Sequence, residues 1–120
     1  MGATVGLKVI EGAALPPSRA VRLQEELSYA TGRIVNCTVA RGKGASVMLL
    51  AFDAGQELGE HTSAGDAIVQ VLEGALALTI AGERVLAAAG ETVLMPAGTP
   101  HAVAAAERSK MLLTIVRPLP

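Results

Sequence analysis

A chain of 120 residues, 51% hydrophobic and 18% charged, has room for one domain around one core, since compact domains are commonly about 100 to 150 residues long. Its 10 basic and 11 acidic residues leave a net charge of −1 with both signs scattered, so it carries neither a basic footprint for nucleic acid nor an acidic tail. Tyr29 and Phe52 are the only aromatics, which leaves little surface of the kind on which sugars and bases are stacked.

The opening stretch "MGATVGLKVIEGAALPPS" lacks the basic start and long apolar middle of a secretory signal. Gly6 stands where an acylation signal beginning at Gly2 wants Ser or Thr. No run approaches the ~18 apolar residues of a membrane helix. The expectation is a soluble, cytoplasmic protein with no membrane or nucleic-acid partner. Residues 1–32 read as a short N-terminal extension. Within it, "SRAVRLQEELSYATG" fits a short helix capped by Ser18 or an edge strand, with Val21, Leu23 and Leu27 packing.

From residue 33 to 120 the sequence is a series of short apolar runs cut by glycine. "RIVNCTVA" stops at Arg41, and the following "GKG" is a hairpin turn that lacks the strand-to-helix context of a nucleotide loop. Cys37, the only cysteine of the sequence, excludes an internal disulfide, fits a reducing compartment and reads as a packed strand thiol. "ASVMLLAFD" stops at a turn containing Asp53 and Gly55. "AIVQVLEG" turns into "ALALTI", Ala81 and Gly82 turn into "ERVLAAA", Gly90 opens "ETVLMPAG", and "HAVAAA" is followed by "KMLLTIVRP". Several runs are rich in Ala, yet none survives ten residues without Gly or Pro, so turn chemistry selects strands over helices. About seven or eight short strands at this spacing predict an all-β meander or jelly roll, with inward positions alternating along each strand.

Two segments carry spacing beyond generic β structure. The first runs Gly55, five residues, His61, one residue, Ser63, and on to Gly74; the second runs Gly90, five residues, Pro96, one residue, Gly98, two residues, His101. In this order they resemble the paired motifs of the cupin superfamily, and the resemblance covers residues 33 to 117. It implies a single-domain cupin jelly-roll β-barrel. It also implies that a divalent metal (zinc, iron, manganese or nickel) is held by two histidines and a glutamate of the first motif and the histidine of the second.

Position by position, His61 and His101 are retained. The second histidine is replaced by Ser63, the glutamate by Ala67, and the asparagine that closes the second motif by Ala105. Half of the ligand shell is gone, and two imidazoles alone bind metal weakly, since a catalytic zinc usually keeps three protein ligands. Asp66 is the nearest candidate for a third. Unbroken alternation from His61 points it outward, and only a bulge at Ser63–Gly65 would reverse that parity. Glu57 and Glu60 read as solvated residues before the strand, and Gln70 as facing a second sheet or a subunit contact.

The same parity gives a cavity wall of His61, Ser63, Ala67, Val69, Val71, His101, Val103 and Ala105, joined by Met48 or Leu49, Met95 and Met111. Such a pocket is apolar with a few polar groups, and burial keeps both imidazoles neutral near pH 7 unless an anion enters; neutral rings would serve metal or hydrogen-bond partners, protonated ones a carboxylate or phosphate, and both stay open. Three functions stay open. One is binding of a small molecule at His61 and His101, with or without a weakly held metal. Another is metal-dependent catalysis of the oxygenase, isomerase or decarboxylase type. The third is a non-catalytic barrel acting through dimerisation or a partner, the resemblance implying a homodimer.

Overall fold

The computed structural model describes residues 9–118; Gly2 and Gly6, weighed above as an acylation signal, lie outside them. Among these residues ten strands form two facing sheets. The larger takes β1 (Val9–Glu11), β2 (Ile34–Arg41), β3 (Ala45–Phe52), β10 (Ser109–Val116), β5 (Asp66–Glu73) and β8 (Thr92–Met95), in that order across the sheet. The smaller takes β4 (Glu57–His61), β9 (His101–Ala104), β6 (Ala75–Ile80) and β7 (Glu83–Ala88). Apart from β1, which runs parallel to β2, all pairings are antiparallel. No helix among the described residues is long and apolar enough to cross a membrane.

Hairpins join only β2 to β3 and β6 to β7; at every other step from β3 onward the chain crosses from one sheet to the other. The architecture is therefore a jelly roll and not a meander. Among the described residues no ladder closes the two sheets into one hydrogen-bonded barrel. The Glu73–Gly74 turn is one of these corners. Gly74 sits there against Arg108 and Ser109, with no room for a Cβ.

The strand missed in sequence is β4. Its residues, "ELGEH", include a single apolar side chain, so the alternation that marks a half-buried strand is absent. Glu57 and Glu60 lie within this strand and not before it, although both are exposed as expected.

The main core fills the space between the sheets with Ile34, Phe52, Val69, Val71, Leu76, Leu78, Met95, Val103 and Met111. A second cluster, Leu27, Val35, Cys37, Leu49 and Ala51, is packed with Leu15, Leu23, Tyr29, Leu72 and Leu112. Cys37 is buried, so the packed-thiol reading holds. Leu49, one of two candidates for the cavity wall, belongs to this second cluster, and Met48 points the other way, as strand alternation requires.

The N-terminal extension thus contributes an edge strand and covers apolar side chains of β2, β3 and β10. Its helical content is one 3-10 turn, Leu23–Glu25, preceded by Arg22 at the capping position. Ser18 caps nothing there: it lies five residues upstream of the turn in left-handed backbone, φ 62°. What fastens the extension is Lys110, a buried lysine whose Nζ donates to the Gln24 carbonyl and lies 3.9 Å from a Glu73 carboxylate oxygen. Tyr29 donates to the same carboxylate while Lys110 and Arg108 stand 4.7 and 5.1 Å from its ring centre. Burial, and then the hydrogen bond to Glu73, hold the Tyr29 phenol well above its usual pKa range.

Candidate functional site

His61 and His101 lie directly opposite each other on β4 and β9. Simple alternation would not put them face to face. Leu58 opposes Val103 and His61 opposes His101, so β4 spends three steps where β9 spends two. The extra residue is a bulge at Gly59 and Glu60, which reverses the parity of the strand's end and turns His61 toward the same cavity as Leu58.

The second histidine is placed by a turn. Thr99 N–H donates to the Pro96 carbonyl across Ala97 and Gly98, and Gly98 has φ 76°. Positive φ at the third residue of a four-residue turn is the condition that selects glycine, which accounts for the glycine of the second motif. Two bonds from the first motif hold this turn: Gly98 N–H donates to the Ser63 carbonyl at 2.9 Å, and Ala97 N–H donates to Asp66 Oδ1 at 2.9 Å.

The two rings meet edge to face, centroids 4.5 Å apart and planes at 75°. His61 Nδ1 lies 2.8 Å from the Gly59 carbonyl and His101 Nδ1 lies 3.1 Å from the Thr99 carbonyl. A carbonyl oxygen only accepts, so each Nδ1 carries the proton and, in the neutral ring, each Nε2 offers a lone pair. His101 is buried, and its pKa falls below the usual histidine value because burial, and then the neighbouring His61, disfavour a second charge; the Thr99 carbonyl partly offsets this. His61, expected in the buried wall, is exposed at the mouth, because β4 is an edge strand of the smaller sheet.

Both rings line a cavity of about 190 Å³, with Ser63, Ala67, Met95, Val103 and Met111 from the expected set. Val69, Val71 and Ala105 are buried but belong to packed core and not to the cavity's lining. The wall includes Leu58, Thr62, Leu113 and Ile115, which sequence reasoning did not name. Leu113 and Ile115 follow Met111 at two-residue steps and were within reach of the alternation rule; Leu58 was hidden with β4.

Asp66 does not join the histidines. It is exposed, with its carboxylate on the backbone of the Pro96–Thr99 turn. The chain leaves β4 at His61 and enters β5 at Asp66, so the break at residues 62–65 is a loop, and Ala67 still points inward as expected. Ser63 Oγ accepts from Gly65 N–H at 3.2 Å. Gln70 is exposed.

Among the described residues no group of three or more His, Cys, Asp or Glu side chains is placed to hold a metal ion. The two imidazole Nε2 atoms are suitable donors, but two fall short of the three protein ligands that a resident catalytic metal usually takes. The residues present therefore do not fit the family's full metal centre.

Residues 48–117 match the family model described as the cupin domain. Over a shared jelly roll, the chain is 34% identical to a conserved protein of unknown function from Streptococcus pyogenes, covering 88% of this chain and 93% of that one with a TM-score of 0.85. It is 34% identical to a cupin 2 conserved barrel domain protein from Leptotrichia buccalis, covering 78% of this chain and 46% of that one with a TM-score of 0.76. It is 30% identical to an RmlC-like cupin protein from Desulfovibrio desulfuricans, covering 84% and 98% with a TM-score of 0.73. No curated protein matches the chain. The match to the family model spans more than half of the sequence and contains both histidine segments, and the chain belongs to the cupin family.

Proposed function

We propose that this cupin binds a small organic molecule in the cavity between its sheets, oriented by His61 and His101. The observation that carries the reading is the pair of Nδ1-anchored rings. Each is fixed in one tautomer by a backbone carbonyl, so two Nε2 lone pairs are presented at the edge of a cavity whose other walls, apart from Thr62 and Ser63, are apolar. That arrangement suits a guest with a hydrogen-bond donor, and fixed polar groups in an apolar pocket are how small-molecule sites gain orientation. Self-association as a homodimer belongs to the same proposal, supported by the exposed Leu86 and Leu94 on edge strands β7 and β8; sedimentation as a monomer removes that part.

Binding is tested by thermal denaturation with cyclohexanol as the probe. A ligand that binds only the folded state raises the melting temperature by linkage. The rise is expected in the native sequence and lost in His101→Gln. Equal rises in both would overturn the role given to the histidines.

The alternative is metal-dependent chemistry with zinc, iron, manganese or nickel held by His61 and His101 and completed by the guest. What supports it is the same pair of free Nε2 atoms. Elemental analysis of tag-free protein after incubation with each metal separates the two: stoichiometric metal lost in both histidine variants favours the alternative, and only trace metal rejects it.

A further inference from the structure

A second chamber opens beside the histidine cavity, and the two share Leu58, His61, Leu113 and Ile115. It is the larger, about 400 Å³, within the range of small-molecule sites. Val9, Met48 and Leu50 complete its apolar wall, so strands β1, β3, β4 and β10 all contribute. Its polar residues are Asn36, Glu60 and His61. Asn36 Nδ2 donates to Glu11 at 3.1 Å while its buried Oδ1 has no hydrogen-bond partner among the described residues, and Glu60 is exposed.

The chemistry of the walls narrows the guest. Among the described residues no lysine or arginine lines either chamber, so none of them neutralises a carboxylate or phosphate there. No aromatic side chain lines them either: Phe52 is core and Tyr29 belongs to the cluster under the N-terminal extension. A sugar or nucleobase would find no ring to stack on. With each Nδ1 proton committed to a carbonyl, the Nε2 of a neutral ring accepts hydrogen bonds and does not donate them.

We infer that the ligand is an uncharged, largely aliphatic molecule with one hydroxyl-type donor. The donor meets His61 and His101, and the aliphatic body extends past His61 into the chamber bounded by Met48, Leu50, Leu113 and Ile115. This rests on the function proposed above and adds the chemical class of its ligand.

The test measures dissociation constants for straight-chain primary alcohols from butanol to octanol, with octanoate at pH 8 as the charged counterpart. Each buried methylene is expected to tighten binding roughly fourfold, until the chamber is full. Met48→Trp and the milder Met48→Phe fill the chamber and are expected to flatten the series, and His101→Gln to weaken every alcohol by a similar factor. A series already flat in the native sequence, or unchanged in both Met48 variants, overturns the second chamber while leaving the histidine site standing. A steep series indifferent to His101→Gln supports the chamber and rejects the histidine reading. Octanoate binding as tightly as octanol overturns the uncharged class. Binding of the series only after removal of residues 2–8 means the chain's own N-terminus competes for the chamber, and overturns the proposal. No binding by any alcohol overturns both readings.

Discussion

Two glycines flanking His61 should respond in opposite ways to the same substitution. A Cβ added at Gly65 would stand 2.2 Å from the Val116 carbonyl oxygen and 2.7 Å from its carbon, whereas one added at Gly59 meets nothing within 4 Å. Neither glycine has positive φ, so backbone conformation is not the obstacle; space is. At Gly65 the obstructing atoms are backbone, and Ala can be accommodated only by parting the start of β5 from the end of β10. Overpacking of this kind costs about 1–3 kcal/mol. Gly→Ala removes unfolded-state freedom worth about 0.4–1 kcal/mol, which offsets only part of that cost. With an unfolding entropy of roughly 0.25 kcal/mol per kelvin for a chain of this length, each kcal/mol moves the melting temperature by about 4 °C. Gly65→Ala is therefore expected to melt several degrees below the native protein, by up to about 10 °C. Gly59→Ala is expected to melt at or up to about 4 °C above it, Ala also being the better strand residue by about 0.5–1 kcal/mol. Circular dichroism melts of the two variants decide the matter. A Gly65→Ala protein as stable as the native one would refute the close approach to β10, and marked destabilisation by Gly59→Ala would refute the open surface of the bulge.

Four further outcomes follow from the geometry. His101 has a depressed pKa when folded, so the folded state binds fewer protons than the unfolded state. Stability is then full above the unfolded value near 6.5 and falls as the pH drops from there toward the folded value, at no more than about 1.4 kcal/mol per pH unit; urea titrations at pH 5 to 8 should show this slope reduced in His101→Gln. Asp66→Ala loses the exposed carboxylate bond to Ala97, expected to cost about 0.5–1.5 kcal/mol, while cyclohexanol binding persists; loss of binding with the fold intact would return Asp66 to the site. Lys110→Met keeps the buried stem but leaves the Gln24 carbonyl and Glu73 without their cation, expected to cost about 1–3 kcal/mol in urea and to speed proteolysis within residues 12–30. Ala81 has φ 51° beside Gly82 at 82° in the two-residue turn between β6 and β7, a turn that favours Asn-Gly; Ala81→Asn is expected to raise stability by about 0.5–1 kcal/mol, and a lower melting temperature would contradict the left-handed assignment.

The sequence alone determined the fold class, because glycine and proline every few residues leave no room for helices and apolar runs between them can only be short strands. It also determined the two histidine positions, since His61 and His101 keep the family's spacing, and it identified Ala67, Met95 and Val103 as inward, since a two-residue period is reliable within an unbroken strand. Tertiary structure decided what that rule cannot reach. The bulge at Gly59 and Glu60 resets parity, so only the pairing of β4 with β9 shows that His61 faces His101. Whether Glu73–Gly74 closes a hairpin or turns a corner depends on which sheet receives β6, and a short turn allows either. Asp66 lies one residue from the vacant ligand position, yet its carboxylate is committed to a backbone N–H of a turn 31 residues further along the chain. Leu49 and Cys37 face away from the cavity because residues 12–30 supply a second apolar cover on that side of the larger sheet, a contact between distant segments that no local pattern encodes. The apolar runs of β2 and β3 are covered on both faces, so they show no alternation from which to choose a side.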